Sequence, residues 1–192
     1  LENPFDNSSP NPYPAATLFL FSIFEAIGIA LSNPRIGLLI YVFAMFMAIT
    51  LSVWAATRGR SFNQRILLTT SLTFLAPPFL MALDRGNSVG YLVPLLIWLF
   101  FGLKTQNNFQ ATLAIVFLSI VKPHFIFLTL VFLLRGKWKP GLLTFIIAGT
   151  AHLSAFLILR PSDFPGNVMS WLVGIIRYQD YSSVEVPWPV NI

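Results

Sequence analysis

The chain has no cysteine, so neither a disulfide framework nor a thiolate metal site is available to it. It has two histidines, His124 and His152, with no acidic cluster beside either, which argues against a metal centre built on protein ligands. Charge is scarce as well: 10% of the 192 residues are charged, against about 25% in ordinary soluble domains. What replaces it is apolar, with 56% hydrophobic and 15% aromatic residues. Several of the apolar stretches approach the roughly 20 residues needed to cross a bilayer. The expectation is an all-α polytopic membrane protein, a single transmembrane domain over residues 1–192 with no separate soluble part, no cofactor, and membrane lipids around it. The net charge of +5 is scattered between apolar runs rather than gathered in a polar stripe, so topology explains it better than nucleic acid does. Internal repeats and low-complexity tracts are also missing.

Proline, asparagine and charge punctuate the apolar sequence. After an Asn/Pro/Ser-rich opening, Leu1 to Pro14, come Ala15 to Leu31 with Glu25 near its centre, and Ile36 to Ala56. Arg58, Arg60 and Arg65 form a basic loop, followed by Ile66 to Leu83, which Pro77-Pro78 interrupts. Asp84-Arg85-Gly86-Asn87 make a tight turn before Ser88 to Leu103. Beyond Lys104, Ala111 to Leu134 is apolar except at Lys122-Pro123-His124, and Gly141 to Leu159 follows a basic loop of Arg135, Lys137 and Lys139. From Arg160 on, Val168, Trp171, Leu172, Ile175 and Ile176 recur at helical spacing, as in a helix lying in the interface. Tyr178, Tyr181 and Trp188 suit the headgroup region.

The loops at Arg58–Arg65, Lys104 and Arg135–Lys139 hold seven of the twelve basic residues and none of the seven acids, which places them in the cytoplasm. That partition requires Ala111 to Leu134 to be a hairpin of two short helices broken at Lys122-Pro123, because proline removes a backbone donor and pushes the residue before it out of helical geometry. Each half, about 11 residues or near 16 Å, is too short for the ~30 Å hydrocarbon core. The tip therefore sits below the outer surface and lines a cavity. Ala15 to Leu31 reads as an outer juxtamembrane helix, with Glu25 an interfacial carboxylate in preference to a proton carrier. About six spans result.

A charge within a span costs about 2.5–3.5 kcal/mol on insertion scales, so it faces water, a partner or a ligand. On this topology Asp84, Arg85, Asn87, Lys122 and His124 converge at the outer side, where an arginine fork and a lysine point charge suit phosphate oxygens. A helix opening after Gly86 adds its amide dipoles. The plainer alternatives are an exposed turn capped by Asn87, a Lys122 that snorkels to the headgroups, and a His124 and His152 that simply hydrogen-bond their neighbours.

Three segments together resemble one family. Asn11-Pro12-Tyr13-Pro14 precedes an apolar stretch, Leu83-Asp84-Arg85-Gly86-Asn87 opens a span, and Ser119-Ile120-Val121-Lys122-Pro123-His124 leads to Leu133-Leu134-Arg135-Gly136-Lys137-Trp138. The terminal Pro189-Val190-Asn191 is similar to the start of an Asn-containing loop motif of the same family. The chain resembles GT-C class membrane glycosyltransferases, specifically the bacterial polyprenyl-phosphate-mannose-dependent mannosyltransferases of family 87. It departs from the Tyr-Pro-Pro pattern of that family at Ala15.

The resemblance implies a GT-C-like helical bundle in the bacterial plasma membrane with its active site facing outside. It implies transfer of a hexose, mannose, from a polyprenyl-phosphate donor to a lipid or glycan acceptor of the cell envelope. Arg85, Lys122 and His124 would bind the donor phosphate, with Asp84, Asn87 and Tyr13 shaping the site. The family's general base, an aspartate of the first outer loop, lies upstream of its Tyr-Pro segment; Asp6 is a poor match, so the catalytic residue is unknown. The chain is accordingly expected to be a fragment lacking the N-terminal span and first outer loop and the C-terminal spans. A transporter or flippase of a lipid-linked anion would use the same basic cavity but should show related halves, which are not seen. A structural membrane subunit would not depend on Arg85 or Lys122 at all.

Overall fold

The computed structural model describes residues 15–75, 88–159 and 164–183, with side chains to residue 173. Every described element is helical. The chain runs through α1 (Ala15–Ala30), α2 (Pro34–Ala56), α3 (Phe62–Phe74), a 3-10 turn (Ser88–Tyr91), α4 (Leu92–Lys104) and α5 (Asn108–Val121). A 3-10 segment (Pro123–Thr129), α6 (Leu130–Leu134), α7 (Trp138–Leu159) and α8 (Phe164–Ser183) complete it.

Proline sets the phase of these elements. Each described proline, at positions 34, 94, 123, 140 and 165, falls in the first turn of the element that holds it, where its missing N–H has no intrahelical acceptor to lose. This is why α-winding in the fourth apolar run begins at Leu92 rather than Ser88. Polar caps supply the other starts. Asn33 Oδ1 accepts from Arg35 N–H at 3.1 Å, and Asn107 Oδ1 from Gln110 N–H at 3.0 Å.

Helices α2 and α7 are long and apolar enough to cross a membrane, and only 28% and 22% of their most apolar stretches are buried. Their outward faces carry Leu39, Phe43 and Leu51 on α2 and Phe145, Ile146 and Ile158 on α7. The buried positions of α7 are Gly141, Thr144, Ala148, Ala155 and Phe156. In α7, small and hydroxylated residues lie mostly inside and large apolar ones outside, the pattern of helices packed in lipid, whereas α2 buries the larger Tyr41, Met45, Ile49 and Val53. Thr144 and Thr112 hydrogen-bond across α7 and α5 at 2.9 Å. The protein is a membrane-associated all-α bundle.

The expected six spans are not what the described residues show. Ala15–Ala30, Ser88–Lys104, Asn108–Val121 and Pro123–Leu134 are apolar but shorter than a membrane-spanning helix. Nor is the stretch from Ala111 to Leu134 two short α-helices: the break falls at Lys122-Pro123, but the residues after it wind as seven of 3-10 and five of α. The extra rise of 3-10 winding, ~2.0 Å per residue against ~1.5 Å, makes this second arm about 21 Å long, equal to the fourteen residues of α5. The ends of the two arms meet. Arg135 Nη1 donates to Leu103 O at 3.0 Å, and Lys137 Nζ to Gln106 Oε1 and Asn108 Oδ1 at 2.9 and 3.1 Å. Phe132 of the second arm closes the core against Ala111, Ala114, Ile115 and Leu118 of the first.

The basic loop is also shorter than expected, since α3 starts at Phe62 and takes in Arg65. The Arg65 guanidinium lies 3.8 Å over the Trp54 ring and donates to Trp54 O at 3.1 Å. A packed corner joins α1 to α2: a Cβ at Gly37 would collide with Phe24 O, and one at Gly28 would stand 3.0 Å from the Pro34 Cα. Helix α8 rests its Val168 and Trp171 against a cluster of Ala15, Ala16, Ala155 and Phe156, while Leu172 stays exposed.

Candidate functional site

The site is organised by the C-terminal end of α5. Lys122 is extended, φ −146° and ψ 114°, as a residue before proline should be. Its N–H still closes the helix onto Leu118 O at 2.9 Å, and its carbonyl accepts from Phe125 N–H at 3.0 Å. The residue is half-buried, whereas His124 is exposed and stacks on Phe125 with ring centroids 4.9 Å apart.

Other elements gather at the same level. The N-terminus of α1 is there, because Thr17 Oγ1 donates to Ile120 O at 2.6 Å, with a longer 3.3 Å contact to Val121 O. Helix α7 is there too, with His152 Nε2 3.1 Å from Ser119 O. Antiparallel packing of α4 on α5, with Gly102 against Ala111 at the joining turn, carries the 3-10 turn Ser88–Tyr91 to this end as well. Ser88 is fully buried, and its Oγ has no hydrogen-bond partner. Tyr91 donates from its hydroxyl to Tyr41 O at 3.2 Å.

This end lies deep. Gly90 packs against Met45 of α2, about 16 Å along the helix from Pro34 at 1.5 Å per residue. Helix α1 fills the level above, from Thr17 beside Ile120 to Gly28 beside Pro34. Glu25 is exposed on its flank.

Of the residues expected to form the site, Lys122 and His124 are placed by the structure. Arg85, Asp84, Asn87 and Tyr13 lie outside the described residues, as do the Leu1–Pro14 loop, Pro77-Pro78 and Trp188. The described chain resumes at Ser88 and at Ala15, and both are fully buried. Sequence reasoning missed Thr17 and the specific partner of His152. One signal was present: a proline at 123 denies Ser119, four residues earlier, its helical donor, so a side chain elsewhere has to supply one.

Beside the second arm runs an apolar groove of about 440 Å³, bounded by Ile126, Phe127, Leu130, Trp138, Leu142 and Phe145. Apart from the Thr129 hydroxyl and the Trp138 indole its lining is apolar, which suits an aliphatic chain. Among the described residues no three carboxylate or imidazole side chains come together.

A family model described as Glycosyltransferase family 87 matches residues 11–183. No curated protein and no solved structure matches the chain.

Proposed function

The chain belongs to glycosyltransferase family 87, and from that premise we propose that it moves a hexose, mannose, from a polyprenyl-phosphate carrier to a lipid-linked or cell-envelope acceptor. The acceptor hydroxyl oxygen bonds to the anomeric carbon with inversion, while the bond from that carbon to the lipid phosphate breaks. The phosphate leaves with the electron pair, and the hydroxyl proton passes to a general base that we do not assign. Arg85, Lys122 and His124 hold the departing phosphate, and Asp84, Asn87 and Tyr13 shape its surroundings. Charge builds on the phosphate as the bond breaks, so groups fixed to meet that charge stabilise the transition state more than the ground state.

The observation that carries this reading is the half-buried lysine at a proline break, held at the end of a packed helix by two other helices. The apolar groove beginning at Ile126, four residues beyond Lys122, supports a long isoprenoid tail alongside. The proposal includes the finer placement: a multi-pass protein of the bacterial plasma membrane, with the Lys122 break opening to the outer side.

The test is Lys122→Ala in the complete protein, assayed in membranes with a polyprenyl-phosphate mannose donor. Transfer should fall about a hundred- to a thousand-fold, the scale of removing one oxyanion-stabilising group, with insertion and melting unchanged. Full transfer by a Lys122→Ala, Arg85→Ala double variant overturns the assignment. Label that crosses the bilayer without forming a glycosidic bond identifies a transporter instead.

A further inference from the structure

The end of α5 can be accounted for carbonyl by carbonyl. Leu118 O receives Lys122 N–H in the usual way. Ser119 O would receive the N–H of residue 123, but that residue is proline and has none. Ile120 O and Val121 O lose their donors because the chain turns away, and Phe125 N–H goes to Lys122 O. Leaving such carbonyls buried without a donor costs about 1–3 kcal/mol each, and two side chains from distant elements prevent it. Thr17 of α1 serves Ile120 O and, more weakly, Val121 O. His152 of α7 serves Ser119 O. A carbonyl only accepts, so Nε2 of His152 carries the hydrogen in this contact.

We propose that His152, with Thr17, is a positioning residue for Lys122: each clamps a carbonyl next to the proline break and so fixes the height and direction of the lysine. Rotation of the peptides leading into Lys122 is what would swing the ammonium: the Ile120 and Val121 carbonyls are tied to α1 and the Ser119 carbonyl to α7, while Lys122 N–H stays on Leu118 O of its own helix. This assignment rests on the reading of Lys122 as a ligand of the donor phosphate, but its geometric part does not.

These 192 residues hold no cysteine, so with any cysteine outside them replaced by serine a thiol test is direct. Lys122→Cys in the complete protein is labelled by a membrane-impermeant thiol reagent, with and without a second change at His152. His152→Ala should alter the labelling rate several-fold. His152→Gln, which offers an N–H of similar reach, should return it to within about twofold. Pro123→Ala restores a backbone N–H for Ser119 O and should make the His152→Ala change nearly silent. In a chain that keeps Lys122, His152→Ala should raise KM for a polyprenyl-phosphate mannose donor about tenfold or more, and His152→Gln should rescue it. A merely structural histidine would lower the melting temperature without that split or rescue. Unchanged labelling in His152→Ala overturns the proposal. Altered labelling together with full transfer by Lys122→Ala sustains the clamp and overturns the phosphate site instead. If His152→Ala does not insert, Thr17→Val is scored by the same two readouts.

Discussion

The two ends of the bundle meet the same physical demand in different ways. Every helix leaves its last carbonyls without donors. At the basic end, cations answer: Arg65 reaches Trp54 O at the end of α2, and Arg135 reaches Leu103 O at the end of α4. A positive charge there also meets the negative pole of the helix dipole. At the end of α5 a threonine hydroxyl and an imidazole, brought by two other helices, serve the carbonyls. The cations at the first end are thus building material. At the second end, side chains from far along the chain reach the helix carbonyls, 103 residues away for Thr17.

If that contrast is real, substitutions at the two ends should separate activity from stability. The largest effect expected is on transfer at the lysine end, where Lys122→Ala or Lys122→Glu removes activity at nearly constant melting temperature. Next comes Gly37→Val at the α1–α2 corner, where the added side chain meets Phe24 O. It should cost about 3 kcal/mol of stability, the upper range for overpacking, seen in detergent melts. Thr17→Val leaves Ile120 O and Val121 O without their hydroxyl donor and should cost about 1–3 kcal/mol together with part of the activity. Arg65→Ala should lower the melting temperature by the loss of a stacked and hydrogen-bonded cation, about 1–2 kcal/mol, with transfer per folded molecule intact. The smallest change is Thr112→Val, about 0.6 kcal/mol by analogy with other interhelical hydrogen bonds in membranes. Should Arg65→Ala abolish transfer, or Lys122→Ala only lower melting, the distinction between the ends collapses.

Much of the frame was legible because apolar runs and prolines are local signals. The second and last apolar runs end as α2 and α7 within three residues of where the sequence places them, and the break between α5 and the 3-10 segment falls at Lys122-Pro123 as expected. What followed the break was not legible. The proline rules fix where a helix stops, but 3-10 winding over seven residues is set by where Arg135 and Lys137 must land, which is a matter of tertiary contacts. The start of α3 was misplaced because a cluster of arginines reads as loop, while Arg65 is tied to the preceding helix by stacking on Trp54. His152 was recognised as a hydrogen-bonding residue, but its partner could be found only by folding α7 against α5. Of the residues that the sequence proposes for the site, Tyr13, Asp84, Arg85, Asn87, Lys122 and His124, the structure places Lys122 and His124.

The winding after Pro123 has a mechanical corollary. Seven residues rewound from 3-10 to α would shorten by about 3.5 Å. With one end anchored at the Leu103 carbonyl by Arg135, that shortening would draw His124 downward by the same amount, or tear the anchor loose. The pitch of this short piece of chain therefore acts as a spacer, and the arginine at the far end of the bundle helps determine how high the histidine stands.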